Sequence, residues 1–99
     1  MPRAVIAGTV FRDPGFAAAG ALALLTALEP PAGEKRFRPQ KVHTTARGEF
    51  FFYVPATPAR YRVTASYSGH EAQEQAVEIH GEERVDLTFN LKPLVKPVK

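Results

Sequence analysis

The chain has 99 residues, a formal net charge of +3 and no cysteine. Its length fits one domain, and 44% hydrophobic residues, with seven Phe and three Tyr among them, can form a core. The absence of cysteine excludes disulfides, thiolate metal sites and a cysteine nucleophile. The basic residues are spread along the sequence, which argues against a nucleic-acid partner. The longest apolar stretch, residues 16–28, is shorter than the roughly 20 residues of a transmembrane helix.

The first half of the chain predicts three strands. Residues 3–12 are rich in β-formers and are followed by the turn sequence Asp13-Pro14-Gly15. Residues 20–28 contain the strong helix formers Ala and Leu, but leucines and alanines alternate, which favours a strand with one face of small side chains. The prolines and charges of residues 29–40 predict a long exposed loop, and a short strand follows at residues 41–46.

The segment from Gly48 to Tyr67 is the most informative part of the sequence. It predicts two strands joined across a proline-marked turn, each with a period of two. The apolar face of the first strand carries Phe50, Phe52 and Val54, and that of the second carries Tyr61, Val63, Ala65 and Tyr67. A face this aromatic needs a second sheet to cover it, so the segment predicts a β-sandwich.

Two further alternating segments complete the predicted fold. Val77 and Ile79 belong to one strand, a turn follows at residues 81–83, and residues 84–91 alternate with Val85, Leu87, Phe89 and Leu91 facing inward. Seven short strands separated by turns predict an all-β, seven-stranded Greek-key β-sandwich. We expect one domain over residues 1–91 and a Pro- and Lys-containing tail or linker over residues 92–99.

Three landmarks in this order resemble the carboxypeptidase regulatory-like domain, a prealbumin-like (transthyretin-like) β-sandwich with an immunoglobulin-like architecture. The first is the strand Ile6–Val10 followed by Gly20–Leu24. The second is Thr45, then the run Gly48–Phe52, then Pro55 and Tyr61. The third is Ser68-Gly69-His70 followed by the strand that ends at Leu91. The resemblance covers roughly residues 4–91.

The resemblance implies a non-catalytic accessory domain, a structural spacer or protein-interaction module of a larger, exported bacterial protein. It implies neighbouring domains or other proteins as partners, an extracytoplasmic location, and no catalytic, cofactor-binding or metal-binding residues. Two alternatives are a glycan- or small-ligand-binding module, with a glycan or anionic polymer as partner, and a transthyretin-like hydrolase.

The histidines and tyrosines are the candidate metal ligands of this sequence. The same fold class hosts the intradiol dioxygenases, which hold iron with two tyrosines and two histidines on a larger scaffold. The candidates here are His43, His70, His80, Tyr53, Tyr61 and Tyr67. No two histidines have a spacing typical of metal ligands, so we expect these side chains to be structural.

The best candidate for a binding site is a patch of basic and aromatic side chains. Basic residues surround an aromatic ring in the predicted loop, and two further aromatic residues lie on the face opposite Phe50 and Phe52. The predicted patch comprises Lys35, Arg36, Phe37, Arg38, Lys41, Phe51 and Tyr53. Basic groups around an exposed aromatic ring suit an anionic partner, and exposed aromatic residues on a sheet face mark a partner surface.

Overall fold

The computed structural model describes residues 3–12, 15–29 and 38–94. These ranges contain eight strands: β1 (Arg3–Arg12), β2 (Phe16–Ala17), β3 (Leu22–Glu29), β4 (Gln40–His43), β5 (Glu49–Pro55), β6 (Ala59–Ser66), β7 (Gln73–Ile79) and β8 (Arg84–Leu91). The all-β prediction is confirmed, but the count of seven strands is wrong because the two-residue β2 was missed. The described ranges contain no helix, and so none long and apolar enough to cross a membrane.

The strands form two sheets of four. In sheet A, β1 is central: β8 pairs with one edge in parallel, and β5 and β2 lie end to end along the other edge, antiparallel to β1. Sheet B is antiparallel throughout, in the order β4-β3-β6-β7. The two sheets pack face to face over one cluster of buried side chains, which makes the domain a β-sandwich.

The strands β5 and β6 do not pair with each other. Although they are consecutive in the sequence, β5 belongs to sheet A and β6 to sheet B, and residues 56–58 carry the chain from one sheet to the other. The aromatic face of β5 and the apolar face of β6 therefore meet across the core. The predicted turn is a corner between sheets, not a hairpin within one.

Aromatic rings from sheet A fill the centre of the core. Phe50, Phe52 and Phe89 are each at most 2% exposed, and the ring of Phe50 lies 5.5 Å from that of Phe52 and 6.2 Å from that of Phe89. Tyr61 and Val63 face them from sheet B and are fully buried. The inward positions predicted for β5, β6 and the second half of β8 are confirmed.

The strand β3 turns its small side chains inward. Ala23 and Leu25 are fully buried, whereas Leu22 and Leu24 on the other face are only partly buried. Short alanine side chains on sheet B leave space for the phenylalanine rings of sheet A, because a core is filled to a nearly constant density. Local alternation identified this strand correctly against its helical propensity.

Glutamine side chains close both open sides of the sandwich. Gln73 and Gln75 of β7 donate hydrogen bonds to the backbone carbonyls of Asn90 (2.5 Å) and Thr88 (2.7 Å) on the outer edge of β8. On the opposite side, Gln40 of β4 donates to the Tyr53 carbonyl on the outer edge of β5 at 3.3 Å. Each contact joins an edge strand of one sheet to an edge strand of the other.

Two interactions outside the strands also tie distant segments together. The buried Thr44 hydroxyl accepts a hydrogen bond from the Ala21 N–H at 2.8 Å and donates one to the Ala18 carbonyl. At the end of the described chain, the Leu94 N–H donates to the Gly69 carbonyl at 2.9 Å. Residues 92–94 are therefore paired with a loop of the domain, and the tail predicted from Lys92 onward stays a prediction; residues 95–99 lie outside the described ranges.

A close approach at Gly8 allows the phenylalanine core to form. A Cβ atom added at Gly8 would lie 2.3 Å from Cζ of Phe50 and 3.1 Å from the Leu87 carbonyl oxygen. The ring of Phe50 therefore occupies the space that the side chain of any larger residue at position 8 would need.

We predict that Gly8→Ala lowers the free energy of unfolding by roughly 1–3 kcal/mol, because the Phe50 ring must shift within a packed core. Urea denaturation monitored by circular dichroism measures this change. Gly81→Ala is the matched control, since nothing lies within 4 Å of a Cβ added at Gly81. An equal effect of the two substitutions would contradict the close-packing argument.

Candidate functional site

The outer face of sheet A carries two exposed aromatic side chains. Because side chains alternate along a strand, burial of Phe50 and Phe52 places Phe51 and Tyr53 of β5 on the opposite surface. Phe51 is 41% exposed and Tyr53 is 55% exposed. The chain itself leaves both rings accessible, which is the condition that a partner surface at this face requires.

These rings form one wall of a shallow groove that runs along β1. In the row across the sheet, Tyr53 lies beside Val5 of β1, which lies beside Arg84 of β8; in the next row Ala7 lies between Phe51 and Asp86. Since neighbouring strands are about 4.8 Å apart, the backbones of β5 and β8 are about 10 Å apart. The groove includes a depression of about 120 Å³ lined by residues of all three strands.

The floor of the groove is small and apolar. Ala7 is 2% exposed, but it is not part of the core cluster, because its side chain lies on the outer face. Its cross-strand neighbours on this face are Phe51 and Asp86. A short methyl group between two taller side chains produces the depression.

The wall opposite the aromatic rings is charged. Nε of Arg84 lies 3.1 Å from Oδ1 of Asp86, and both side chains are more than half exposed. An exposed pair of this kind contributes little to stability, typically below about 1 kcal/mol. A guanidinium has five N–H donors and a flat face, so the pair with Asp86 leaves Arg84 able to contact a second group.

Among the residues that the structure describes, the basic and the aromatic members of the predicted patch do not lie together. Lys35, Arg36 and Phe37 lie outside the described residues. Arg38 is exposed just before β4. Lys41 pairs with Leu24 on the outer face of sheet B, on the other side of the sandwich from Phe51 and Tyr53. Among the patch residues that the structure describes, Phe51 and Tyr53 share a surface, and that surface stays the candidate site.

The three histidines do not converge. His43 lies at one end of β6, because it pairs with Leu22, which pairs with Ser66. His80 lies at the other end, because it follows Ile79, which pairs with Ala59. Seven residue steps along β6 place these ends about 24 Å apart. His70 lies in a turn at the His43 end, where its ring contacts that of Tyr67 at 5.2 Å.

The tyrosines are equally dispersed, so the donor set of an intradiol dioxygenase does not fit. Tyr53 lies on the outer face of sheet A, and Tyr61 is fully buried in the core. The ring of Tyr67 contacts that of His70, at one end of sheet B. Within residues 3–12, 15–29 and 38–94, no group of three or more His, Asp or Glu side chains could hold a metal ion. Two tyrosines and two histidines therefore do not meet around one point.

Comparison with known proteins gives matches of the fold alone. No protein-family model and no curated protein matches this sequence. The fold is shared with dioxygenases and with a pilin. The 3-chlorocatechol 1,2-dioxygenase of Rhodococcus opacus 1CP has a TM-score of 0.72 at 14% identity, over 94% of this chain and 61% of the dioxygenase. The catechol 1,2-dioxygenase of Acinetobacter sp. ADP1 has a TM-score of 0.73 at 13% identity, over 99% of this chain and 56% of the dioxygenase.

The pilin match is of similar quality. GBS52, the minor pilin of Streptococcus agalactiae, has a TM-score of 0.70 at 17% identity, over 99% of this chain and 48% of the pilin. The chain thus spans about half to three fifths of these proteins, and identities this low establish a common β-sandwich fold alone. Sandwiches of this kind are consistent with the predicted prealbumin-like fold.

These comparisons correct two predictions made from the sequence. The sequence predicts a non-catalytic accessory domain, with a glycan- or small-ligand-binding module and a transthyretin-like hydrolase as alternatives, and it predicts no enzymatic activity. Both predictions are wrong as stated, because catechol 1,2-dioxygenases share its fold over nearly its whole length. Resemblance to accessory domains therefore gives no ground for excluding catalysis.

Sequence reasoning found the aromatic wall of the groove but missed its floor and its charged wall. The alternation of β8 did place Arg84 and Asp86 outward, and that of β1 places Ala7 opposite Ile6. What it lacked was the parallel pairing of β1 with β8, which brings residues about 80 positions apart into one row. No local pattern carries that information.

We predict that Phe51→Ser changes the free energy of unfolding by about 1 kcal/mol or less, whereas Phe52→Ser lowers it by at least about 3 kcal/mol. The physical reason is that the first ring already contacts water and the second fills the core. Chemical denaturation of both variants provides the measurement. Each variant serves as the control for the other, because both replace a phenylalanine by serine at adjacent positions of β5. Equal losses would show that the outer face is covered.

Proposed function

We propose that the outer face of sheet A docks against another polypeptide, with Phe51 and Tyr53 as the anchoring side chains. The observation that carries this proposal is the exposure of two aromatic rings, two residues apart on one strand, beside a groove with an apolar floor. One exposed hydrophobic residue needs no explanation, but two exposed rings side by side, one of which (Phe51) lines a depression, are typical of a contact surface.

The chemistry of the two walls suits a protein partner. Aromatic residues and arginine are enriched at protein interfaces and supply most of the residues whose removal weakens binding strongly. Phe51 and Tyr53 supply rings on one side of the groove, and Arg84 supplies a guanidinium on the other. A partner that covers Ala7 would remove both rings from water at once.

We further propose that the chain is a sandwich of the carboxypeptidase regulatory-like type, as its three sequence landmarks suggest. The fold likeness to a minor pilin supports a role in protein contacts, since that neighbour is by its name a subunit of a pilus. A docking face does not depend on whether the protein that contains this chain catalyses a reaction. The same domain can carry a contact surface and belong to an enzyme.

The proposal predicts site-selective cross-linking. A photoreactive phenylalanine analogue at position 53, in the protein as its own cells express it, should yield discrete cross-links that map to one defined polypeptide segment. Mass spectrometry identifies the linked residues. Phe51→Ser in the same protein should lower the yield from position 53 several-fold, because the second anchor is lost.

Ala76 provides the matched control position, since it is exposed on β7 at the outer face of sheet B. The analogue at position 76 should give none of the products obtained from position 53. Identical products from the two positions, or no product from position 53, would contradict docking at this face.

A dioxygenase-like activity is the second candidate function, favoured by the fold shared with catechol 1,2-dioxygenases. The described tyrosines and histidines do not assemble an iron site, so no reaction step is derived for it. The test is to add ferric iron to the purified protein and to measure both a tyrosinate-to-iron absorption band and the consumption of catechol. Both signals together would support this candidate, and the absence of both would refute it.

A further inference from the structure

We infer that the polypeptide that docks on the outer face of sheet A is a second copy of this chain, placed face to face with the first. This inference rests on the docking function proposed above and names its partner. Its basis is that Tyr53 on one wall of the groove suits Arg84 on the other wall, and a two-fold axis brings each wall of one copy onto the other wall of its mate.

The registers of sheet A define the contacts that such an axis creates. When the axis runs parallel to β1 between the two faces, β5 of one copy lies over β8 of the other. Each row of one copy then lies over the same row of the other copy. Tyr53 then lies over Arg84 of the second copy, because both belong to the row that contains Val5. Symmetry repeats this contact, so each dimer contains it twice.

An arginine over a tyrosine ring is a favourable pair. The guanidinium is attracted to the negative face of the ring, and the attraction is stronger when the partner copy removes both groups from water. Arg84 keeps its ion pair with Asp86 in this arrangement, because the pair uses Nε and leaves the flat face of the guanidinium accessible.

The floor of the groove permits this close approach. In the neighbouring row, Ala7 is already covered within its own copy, and Phe51 of each copy lies over Asp86 of the other, so the Tyr53–Arg84 contacts carry the association. A larger residue at position 7 would hold the two sheets apart. Sheets packed face to face keep their strands within about 30° of each other, which is compatible with an axis along β1.

A two-fold axis perpendicular to the strands is unfavourable when it is centred on the Ala7 row. An axis perpendicular to the strands and centred on the Ala7 row would place β8 over β8, and Asp86 of one copy would oppose Asp86 of the other. Like charges in contact are destabilising, and Arg84 would lose its aromatic partner. An axis centred midway between the Val5 and Ala7 rows would instead place Arg84 over Asp86 of the other copy, without any contact between Tyr53 and Arg84, and the mixing test below distinguishes it from the axis along β1.

The outer face of sheet B lacks this complementarity. Its two arginines are already paired within the sheet: Nε of Arg60 lies 3.5 Å from Glu78, and Nε of Arg62 lies 3.2 Å from Glu74. No aromatic residue lies on the described part of that face. Self-association should therefore use sheet A alone.

The size of the face sets the expected strength. Three strands across and six residue steps along β1 give a footprint of roughly 15 by 20 Å, about 300 Å² per copy. This is well below the roughly 800 Å² per partner of a standard stable interface. The dimer should therefore be weak, with a dissociation constant of about 0.1–1 mM.

The first test is the mass of the purified chain by sedimentation equilibrium from about 10 µM to 1 mM. A monomer–dimer equilibrium with a dissociation constant in the expected range supports the inference. Tyr53→Ser and Arg84→Gln should each weaken association at least about tenfold. Arg60→Gln, on the outer face of sheet B, should leave it unchanged.

The second test mixes the two weakened variants. Neither variant can form the Tyr53–Arg84 contact with itself, but a heterodimer of Tyr53→Ser with Arg84→Gln regains one of the two contacts. The mixture should therefore associate more tightly than either variant alone. Equal association of the mixture and the single variants would overturn the proposed geometry.

The failure of this inference can be told from failure of the docking function. A chain that stays monomeric at 1 mM, together with cross-links from position 53 to a different polypeptide, would refute the second copy and keep the docking face. The absence of both dimer and cross-links would refute both. Cross-links from position 53 to residues of β8 in a second copy would support both.

Discussion

Burial of Phe50 and Phe52 against sheet B is the constraint on which the rest of this structure depends. The two rings, with Phe89, fill the space between the sheets, and the closeness of Phe50 to Gly8 shows how little room remains. Because side chains alternate along a strand, the same burial directs Phe51 and Tyr53 outward. The core and the candidate docking face are thus two sides of one strand, and a slip of one residue would exchange them.

The open sides of the sandwich explain why a face, not an edge, is the surface offered to a partner. An edge strand presents unpaired backbone groups that can recruit another strand. Here Gln73 and Gln75 occupy carbonyls on the edge of β8, and Gln40 reaches the edge of β5. These contacts join the sheets and also cover backbone acceptors, so each sheet edge is partly closed by the other sheet.

The comparisons separate fold from function. The same sandwich occurs in catechol 1,2-dioxygenases and in a minor pilin, so the arrangement of strands does not decide between a reaction and a contact. The side chains must decide. His43 and His80 lie at opposite ends of sheet B, whereas the aromatic and charged walls of sheet A lie within one row of each other. Among the described residues, the candidate contact groups therefore lie together on the outer face of sheet A, and no candidate catalytic groups do so.

The sequence by itself determined the strands and the direction of their side chains. Alternation at residues 49–54, 60–67 and 84–91 correctly identified the buried rings, because the period of a strand is a local property. It also overruled the helical propensity of residues 20–28. The predicted resemblance to a prealbumin-like sandwich agrees with the observed architecture, although it led to a wrong exclusion of catalysis.

The tertiary structure alone decided which strands are neighbours. It placed β5 and β6 in different sheets, joined β8 to β1 in parallel, and added the two-residue strand β2. It thereby brought Arg84 and Ala7 to the aromatic pair and moved Lys41 to the opposite face. The physical reason is that alternation records whether a side chain meets the core or water, whereas strand pairing depends on hydrogen bonds between segments that are distant in the sequence.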